Sequence, residues 1–132
     1  MTNEQKSETL IGVVNIEALV SQSPKVIALK EEQQSKRNDL QSWVNWANAE
    51  IEAQTDAAQK ADLSKKYQEE LNKRQLTINN EYAQKVQAID NELNTLIANI
   101  AKAEKLEYVF NRGAVVFGGK DITQQAIDAL KK

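Results

Sequence analysis

The side chains that most often perform catalysis or bind metals are either absent from this 132-residue chain or scattered along it. There is no cysteine and no histidine, which excludes zinc, haem, iron–sulfur and thiol chemistry as well as histidine base catalysis. The carboxylates that could be imagined as acid–base pairs are Glu31, Glu32, Glu69, Glu70, Asp90 and Glu92. They lie on polar stretches with no pocket around them, so we interpret them as solvated helix surface. We therefore predict no catalytic residue, no metal site and no cofactor, and a protein that is not an enzyme.

The segment 113–121, with the sequence G-A-V-V-F-G-G-K-D, is superficially similar to a phosphate-binding loop. That loop requires the pattern G-x-x-x-x-G-K-[ST]. Placing Gly119 and Lys120 at the G-K positions puts Ala114 where the first glycine belongs. Asp121 then occupies the position of the magnesium-binding hydroxyl, and its carboxylate would repel phosphate. We interpret the segment as a strand that ends in a Gly-Gly turn.

Composition and charge exclude several kinds of partner. The formal net charge is −2 and the isoelectric point is near 5.3, so we expect no binding to nucleic acid. No apolar stretch approaches the ~20 residues that span a bilayer, so we expect no stable membrane insertion. Residues 1–9 are polar and lack the features of a secretory signal, and we expect a disordered tail there. The protein is then either cytoplasmic, or periplasmic after removal of a signal.

A long stretch without glycine or proline forms the middle of the chain. Neither residue occurs at 26–108, and helix interiors exclude them at roughly 1 and 3 kcal/mol each. We predict one helix at 24–53 and a second at about 58–104, with a reversal near 54–58. These helices would be roughly 45 and 70 Å long, which is longer than any core this chain could build. An antiparallel helical hairpin is the expected arrangement.

Apolar residues recur on one side of each predicted helix, mostly at spacings of three and four residues. The first helix carries Val26, Leu29, Leu40, Trp43, Ala47 and Ile51, with Gln33 and Lys36 in the intervening positions. The second carries an 11-residue repeat at Tyr67, Leu71, Ile78, Tyr82, Ile89, Leu93 and Ile100. A heptad series also fits near its end, at Val86, Ile89, Leu93, Leu96, Ile100 and Ala103. The sequence leaves both registers open, and either one gives a single apolar face.

The residues before the hairpin contain two helix-start signals. Residues 10–15 predict a short buried strand, in which Gly12 permits close approach of another backbone. Asn15 should cap the short helical turn that follows. Ser23 should cap the first long helix, and Pro24 already has the φ angle that its first position requires.

Beyond the second helix the period changes to that of strands. We predict strands at 106–110 and 114–117, joined by a hairpin turn at 111–113. Asp121 should cap a final helix, with Gln124 in the capping-box position. Three short strands form no useful sheet alone and leave their edges exposed, so we expect self-association through this region.

Together these elements predict a mostly α-helical fold with a small β body. We expect a disordered tail at 1–9 and an association body formed by residues 10–23 and 105–132. The helical hairpin would occupy residues 24–104, with its tip near 54–58.

This layout and three local sequences resemble the Skp/OmpH family of periplasmic outer-membrane-protein chaperones. The sequence L-I-G-V-V-N at 10–15 is similar to the first strand of that family. The segment 29–40, which ends in R-N-D-L, is similar to the start of its helical arm. The sequence K-D-I-T at 120–123 is similar to its terminal strand-to-helix junction. The resemblance covers residues 10–130.

The resemblance implies a homotrimer, in which strands from three subunits form a small β-barrel and three coiled-coil arms enclose a cavity. Unfolded outer-membrane proteins would be held in that cavity without ATP, in the periplasm. The implied trimer residues are Leu10, Ile11, Val13, Val14, Val109, Val115, Val116 and Phe117. The best-known members are basic whereas this chain is acidic, so we carry over no lipopolysaccharide site.

Candidate client-binding residues lie in the hairpin. Trp43 and Trp46 are three residues apart and share a helical side, with Val44 beside them. We interpret Trp43, which fits the apolar stripe, as packed within the hairpin, and Trp46 as the better client contact. A small excess of positive charge near the tip adds four cations to the candidates, namely Lys65, Lys66, Lys73 and Arg74.

Two other functions stay open on the sequence alone. A structural coiled-coil adaptor would bind one folded partner saturably and would not suppress aggregation of unfolded proteins. A cytosolic prefoldin-like chaperone would also combine strands with helical hairpins, and a signal peptide in the native gene would exclude it.

Overall fold

The computed structural model describes residues 10–132, so the tail predicted at 1–9 lies outside the described residues. The elements are β1 (Ile11–Val14), α1 (Ile16–Gln22), α2 (Pro24–Glu52), α3 (Ala57–Ala103), β2 (Tyr108–Asn111), a 3₁₀ turn (Arg112–Ala114), β3 (Lys120–Asp121) and α4 (Thr123–Leu130). Four helices and one small sheet confirm the mostly helical prediction. Both long helices begin and end within one residue of their predicted bounds.

The chain divides into two compact units. The body unit comprises residues 10–28 and 88–132, and the hairpin unit comprises Leu29–Gln87. Helices α2 and α3 contribute residues to both units. The assignment of one region to association and the other to client binding stays a prediction.

Two local hydrogen bonds start the first two helices. The Asn15 side chain accepts from the backbone N–H of Ala18 at 3.1 Å and caps α1. The Ser23 hydroxyl accepts from the backbone N–H of Val26 at 3.4 Å, and α2 begins at Pro24. These bonds confirm both predicted helix starts. The starts could be predicted because each capping side chain is only three residues from the N–H group that it satisfies.

The sheet is parallel, with β1 between β2 and β3. Ile11 lies opposite Tyr108 on one side, and Gly12 lies opposite Lys120 on the other. The hairpin predicted around residues 111–113 is wrong, because Arg112–Ala114 forms a 3₁₀ turn and the next strand, β3, is not a neighbour of β2 in the sheet. Parallel neighbours need a crossover connection, and α2 with α3 supplies it between β1 and β2.

The strand predicted at 114–117 is also wrong. This apolar run pairs with no strand within residues 10–132, where the sheet consists of β1, β2 and β3, and Val116 and Phe117 are almost fully exposed. The Gly-Gly turn does form, since Gly118 and Gly119 have φ angles of 90° and 86°. A Cβ at Gly119 would lie 2.9 Å from Val13 Cγ1, so this glycine covers the buried Val13 side chain.

The core of the body unit lies between one face of the sheet and the helices. Its buried members are Val14, Leu19, Leu93, Ile122, Ala126 and Ile127. Half-buried Leu106 and Val109 pack against them. A Cβ at Gly12 would lie only 2.6 Å from Leu106 Cδ1, so Gly12 makes room mainly for the Leu106 side chain.

Asp121 organises the start of α4. Its Oδ1 accepts from the Thr123 hydroxyl at 2.6 Å and from the Thr123 backbone N–H at 2.9 Å. Its Oδ2 accepts from Arg112 at 2.8 Å. The capping box with Gln124 is wrong, because the Gln124 amide donates one turn onward to Asp128. Asp121 is also not the N-cap, contrary to the prediction: Ile122 occupies that position without a side-chain hydrogen bond, and the Asp121 carboxylate, one residue earlier, accepts from Thr123, the first residue of α4.

The same bonds predict a specific acid sensitivity. The two bonds from Thr123 and the one from Arg112 lower the pKa of Asp121 from 3.8 to about 2. The stabilisation is present above pH 3.8 and is lost as the pH falls towards 2. Because half of the side chain is exposed, we expect D121N to be less stable than wild type by only about 1 kcal/mol at pH 6. Urea unfolding at several pH values checks this, and a difference that does not shrink below pH 3 would contradict it.

The hairpin unit is antiparallel, as cross-helix pairs show. Glu32 on α2 binds Lys85 on α3, and Lys36 binds Glu81. Towards the reversal, Glu52 lies 3.5 Å from Lys60. Partners on α3 thus come earlier in the sequence as α2 advances, which is the order an antiparallel pair requires.

Candidate interaction surfaces

An aromatic cluster lies near the reversal of the hairpin. The ring centroids of Trp43 and Tyr67 are 5.8 Å apart in an edge-on arrangement. The Arg74 guanidinium lies 4.7 Å from the Trp43 ring centroid, within the range of a cation–π contact. Ala47, one turn after Trp43, is buried, and a small side chain there lets the helices approach closely. The predicted packing of Trp43 within the hairpin is confirmed.

Trp46 belongs to the same cluster but remains open to solvent. Its ring centroid is 5.4 Å from that of Tyr67, and half of its surface is exposed. Val44 is half-buried and lies two residues from Trp46, so the two face different sides of α2. The structure thus gives Trp46 an accessible aromatic face, whereas Val44 does not join it.

The two tryptophans should differ in their access to a soluble quencher. We expect acrylamide to quench the fluorescence of Trp46 in W43F more strongly than that of Trp43 in W46F. The physical reason is that Trp43 is covered by Tyr67 and Arg74, whereas Trp46 is half exposed. Unfolding both variants in urea should remove the difference. Equal quenching in the folded variants would contradict the assignment of Trp46 as the accessible member.

The four candidate cations do not form one cluster. Arg74 is bound to Glu70 at 3.1 Å as well as to the Trp43 ring. Lys73 lies with Arg74 along a groove of about 540 Å³, whose other walls include the carboxylates of Asp39 and Glu70. Lys65 and Lys66 are exposed, with no ion-pair partner in the described range. These positions stay predicted client contacts.

Polar and charged residues interrupt the apolar side of α2 that faces α3. Half-buried Lys36 lies between Glu81 and Glu32, and Glu32 also accepts from Lys85. The hydrogen bond to Glu81 raises the pKa of Lys36, and the one from Lys85 lowers the pKa of Glu32. Gln33 is half-buried as well. Cross-helix ion pairs therefore take the place of apolar contacts in this part of the hairpin.

Three of the carboxylates considered as acid–base candidates have cationic partners. Glu32 binds Lys85, Glu70 binds Arg74, and Glu92 binds Lys25 at 2.8 Å. Across residues 10–132, no group of three or more Asp or Glu side chains is arranged to hold a metal ion. These carboxylates act as partners in surface ion pairs.

The candidate trimer residues fall into three classes. Val13 and Val14 are buried within their own chain, whereas Val109 and Val115 are half-buried. The exposed ones are Leu10, Ile11, Val116 and Phe117, and the last two are almost fully exposed. The exposed four can reach a second subunit without rearrangement, which Val13 and Val14 cannot. The trimer contact itself stays a prediction.

Two aromatic residues extend this exposed apolar set and were missed in the sequence. Tyr108 and Phe110 are exposed, and their rings stack with centroids 6.1 Å apart. The register places Tyr108 opposite Ile11 and Phe110 opposite Val13, on the face turned away from the core. The alternation Y-V-F was the available signal, because alternate strand residues share a face. We call Ile11, Tyr108 and Phe110 the outer sheet face.

The three-stranded sheet is open. Its outer strands, β2 and β3, each pair only with β1 within the described chain. Each therefore presents unpaired backbone groups along its other edge, and such edges usually find partners. Among the described helices, none has the length and apolar character needed to cross a bilayer.

Comparison with known proteins identifies the family. The family model for "Outer membrane protein (OmpH-like)" matches residues 10–130. A crystal structure from Caulobacter crescentus CB15, titled as a candidate outer membrane chaperone (OmpH-like), superposes with a TM-score of 0.60 at 20% identity. The match covers 94% of this chain and 85% of that one. No curated protein matches. The fold is thus shared with that structure, and the profile match shows that the chain belongs to the OmpH-like family.

Proposed function

We propose that this chain is an ATP-independent holdase chaperone that works as a homotrimer in the periplasm. Strands from three subunits would close a small barrel, and three helical hairpins would enclose unfolded outer-membrane proteins. Membership of the OmpH-like family supports the class of client. The chaperone would act by binding and release, without catalysis.

The observation that carries the proposal is the open sheet with its exposed apolar face. Two unpaired strand edges lie beside Ile11, Tyr108 and Phe110, all of which are exposed. Val116 and Phe117 add a nearly fully exposed apolar run in the same unit. Leaving this apolar surface and these edges in water is unfavourable, and association with copies of the same sheet removes both costs.

The hairpin supports weak and distributed binding. Trp46, Leu76, Tyr82 and Val86 are exposed at intervals along it. Apolar contacts distributed in this way suit a surface that accepts many sequences and releases them. The exposed Lys65 and Lys66, which precede Tyr67 in sequence, would add attraction to acidic segments of a client.

Two measurements on the full chain test the proposal. Light scattering on a sizing column should give a concentration-independent mass near three times the 14.8 kDa chain. A urea-denatured outer-membrane β-barrel protein, diluted into buffer without ATP, should stay soluble when the trimer is present. A stable monomer or dimer would overturn the shared barrel, and aggregation at the rate seen without the protein would overturn the holdase activity.

A further inference from the structure

A groove of the hairpin unit has a chemistry unlike that of the rest of this acidic chain. Its volume is about 470 Å³, and it is lined by Lys30, Gln33, Gln34, Arg37, Asn79 and Tyr82. No Asp or Glu lines it. The 540 Å³ groove of the same unit contrasts with it, since three carboxylates there oppose its three cations. We call the 470 Å³ groove the donor groove.

Hydrogen bonds within the hairpin occupy acceptors of the donor groove and leave donors free. Gln34 Oε1 accepts from Arg37 at 2.9 Å. Asn79 Oδ1 accepts from Gln75 at 3.2 Å. The remaining Arg37 N–H groups and the Asn79 amide N–H groups are left to donate. The groove therefore has more free donors than free acceptors, the latter being the Gln33 amide oxygen and the Tyr82 hydroxyl oxygen.

The positive charge of the donor groove is not neutralised by its neighbours. Lys30 forms no ion pair within the described part of the chain. Glu32 is close to Lys30 in sequence, but its carboxylate is bound to Lys85 and Lys36. Arg37 contacts the neutral amide of Gln34 rather than a carboxylate. Two cations that form no ion pair within the described residues thus line the groove, although the exposed Glu31 is adjacent to Lys30 in sequence.

The shape and spacing of the groove suit an extended polypeptide. Lys30 and Arg37 are seven residues apart on α2, so they share one side about 10 Å apart. Same-side residues of an extended chain repeat every ~7 Å. The two cationic side chains are long enough to make up the difference between this repeat and their own spacing of about 10 Å. Tyr82, which is 44% exposed, offers an aromatic surface between these charges and the exposed Val86.

We propose that the donor groove binds carboxylate side chains of an extended, acidic client segment whose alternate residues are apolar. This inference rests on the proposed function and names a client chemistry for it. Carboxylates supply acceptors for the free donors of the groove, and Arg37 and Lys30 bind them by charge-assisted hydrogen bonds. The apolar residues of the segment contact Tyr82.

The test compares two labelled ten-residue peptides, one alternating Glu with Val and Tyr, the other with Gln in place of Glu. Fluorescence anisotropy measures their binding to the full chain, to K30Q/R37Q, and to the control K102Q/K132Q, which removes the same charge from the body unit. We expect K30Q/R37Q to weaken the Glu peptide about tenfold and to leave the Gln peptide unchanged. The control should bind both peptides as the wild type does.

Three outcomes would overturn the inference. One is equal binding of the Glu and Gln peptides to wild type, and another is equal weakening by both double variants. The third is binding to phosphatidylglycerol vesicles that depends on Lys30 and Arg37 while neither peptide binds, which would make the ligand a lipid phosphate. Helical circular dichroism verifies that the variants are folded.

Parallel aggregation assays separate this inference from the proposed function. Suppression of client aggregation with no preference for the Glu peptide would overturn the donor groove alone. Binding of the Glu peptide through Lys30 and Arg37 with no suppression of aggregation would support the groove and overturn the holdase.

Discussion

The variant V116D/F117D is expected to be a monomer at concentrations at which we expect the wild type to form the proposed trimer. Both side chains are almost fully exposed within a single chain, so replacing them should leave the subunit fold intact. In the proposed trimer they would be covered by a neighbouring subunit, where a carboxylate without a partner costs several kcal/mol. The dissociation constant should rise about a hundredfold or more, as measured by light scattering across a dilution series.

A matched variant separates this effect from a general effect of added negative charge. L76D/V86D places two carboxylates on exposed apolar positions of α3 in the hairpin unit. Its mass should remain that of the wild type. A V116D/F117D protein that kept the wild-type mass would show that residues 116–117 do not lie at the subunit contact. A loss of helical signal in that variant would show a folding defect instead.

Three glycines of the body unit should respond very differently to a methyl group. G119A is expected to lose about 2–3 kcal/mol of unfolding free energy, because its φ is 86° and the new Cβ would meet Val13. G118A should lose about 1–2 kcal/mol, since its φ is 90° but no atom lies within 4 Å of the new Cβ. Gly113 has neither constraint, so G113A should stay within about 0.5 kcal/mol of wild type.

Urea unfolding at one fixed protein concentration measures this series, since assembly would make stability concentration-dependent. The difference between G113A and G118A measures the cost of the backbone conformation. The further difference between G118A and G119A measures the cost of the contact with Val13. Equal losses at Gly118 and Gly119 would show that the contact with Val13 contributes nothing.

The helices could be predicted because their signals are local. Asn15 and Ser23 satisfy N–H groups three residues ahead, and the absence of glycine and proline predicted where both long helices run. Even Lys36 is half-buried, as its position among the apolar residues of α2 predicts. Its partner Glu81 could not be identified in advance, because that pairing depends on the alignment of the two helices.

The sheet could not be predicted, because its partners are distant in sequence. The turn-like run N-R-G at 111–113 suggested a hairpin, yet β2 pairs with β1 instead. Residues 115–117 have high strand propensity, but they pair with no strand in the described part of the chain. Propensity describes one segment, whereas pairing depends on which segments the rest of the fold brings side by side. The outer sheet face, with Tyr108 and Phe110, was missed for the same reason.

The parallel pairing of the first strand with the last third of the chain also constrains the order of folding. The Asn15 N–H donates to Thr123, 108 residues away, whereas the hairpin reverses over a few residues near position 54. Closing a long loop costs more entropy than closing a short one, and distant contacts form slowly. During synthesis β1 therefore emerges first and waits without a partner, while the hairpin can form as soon as α3 follows α2. Once formed, the hairpin shortens the chain that separates β1 from β2, so the helices bring together the two strands that flank them in sequence.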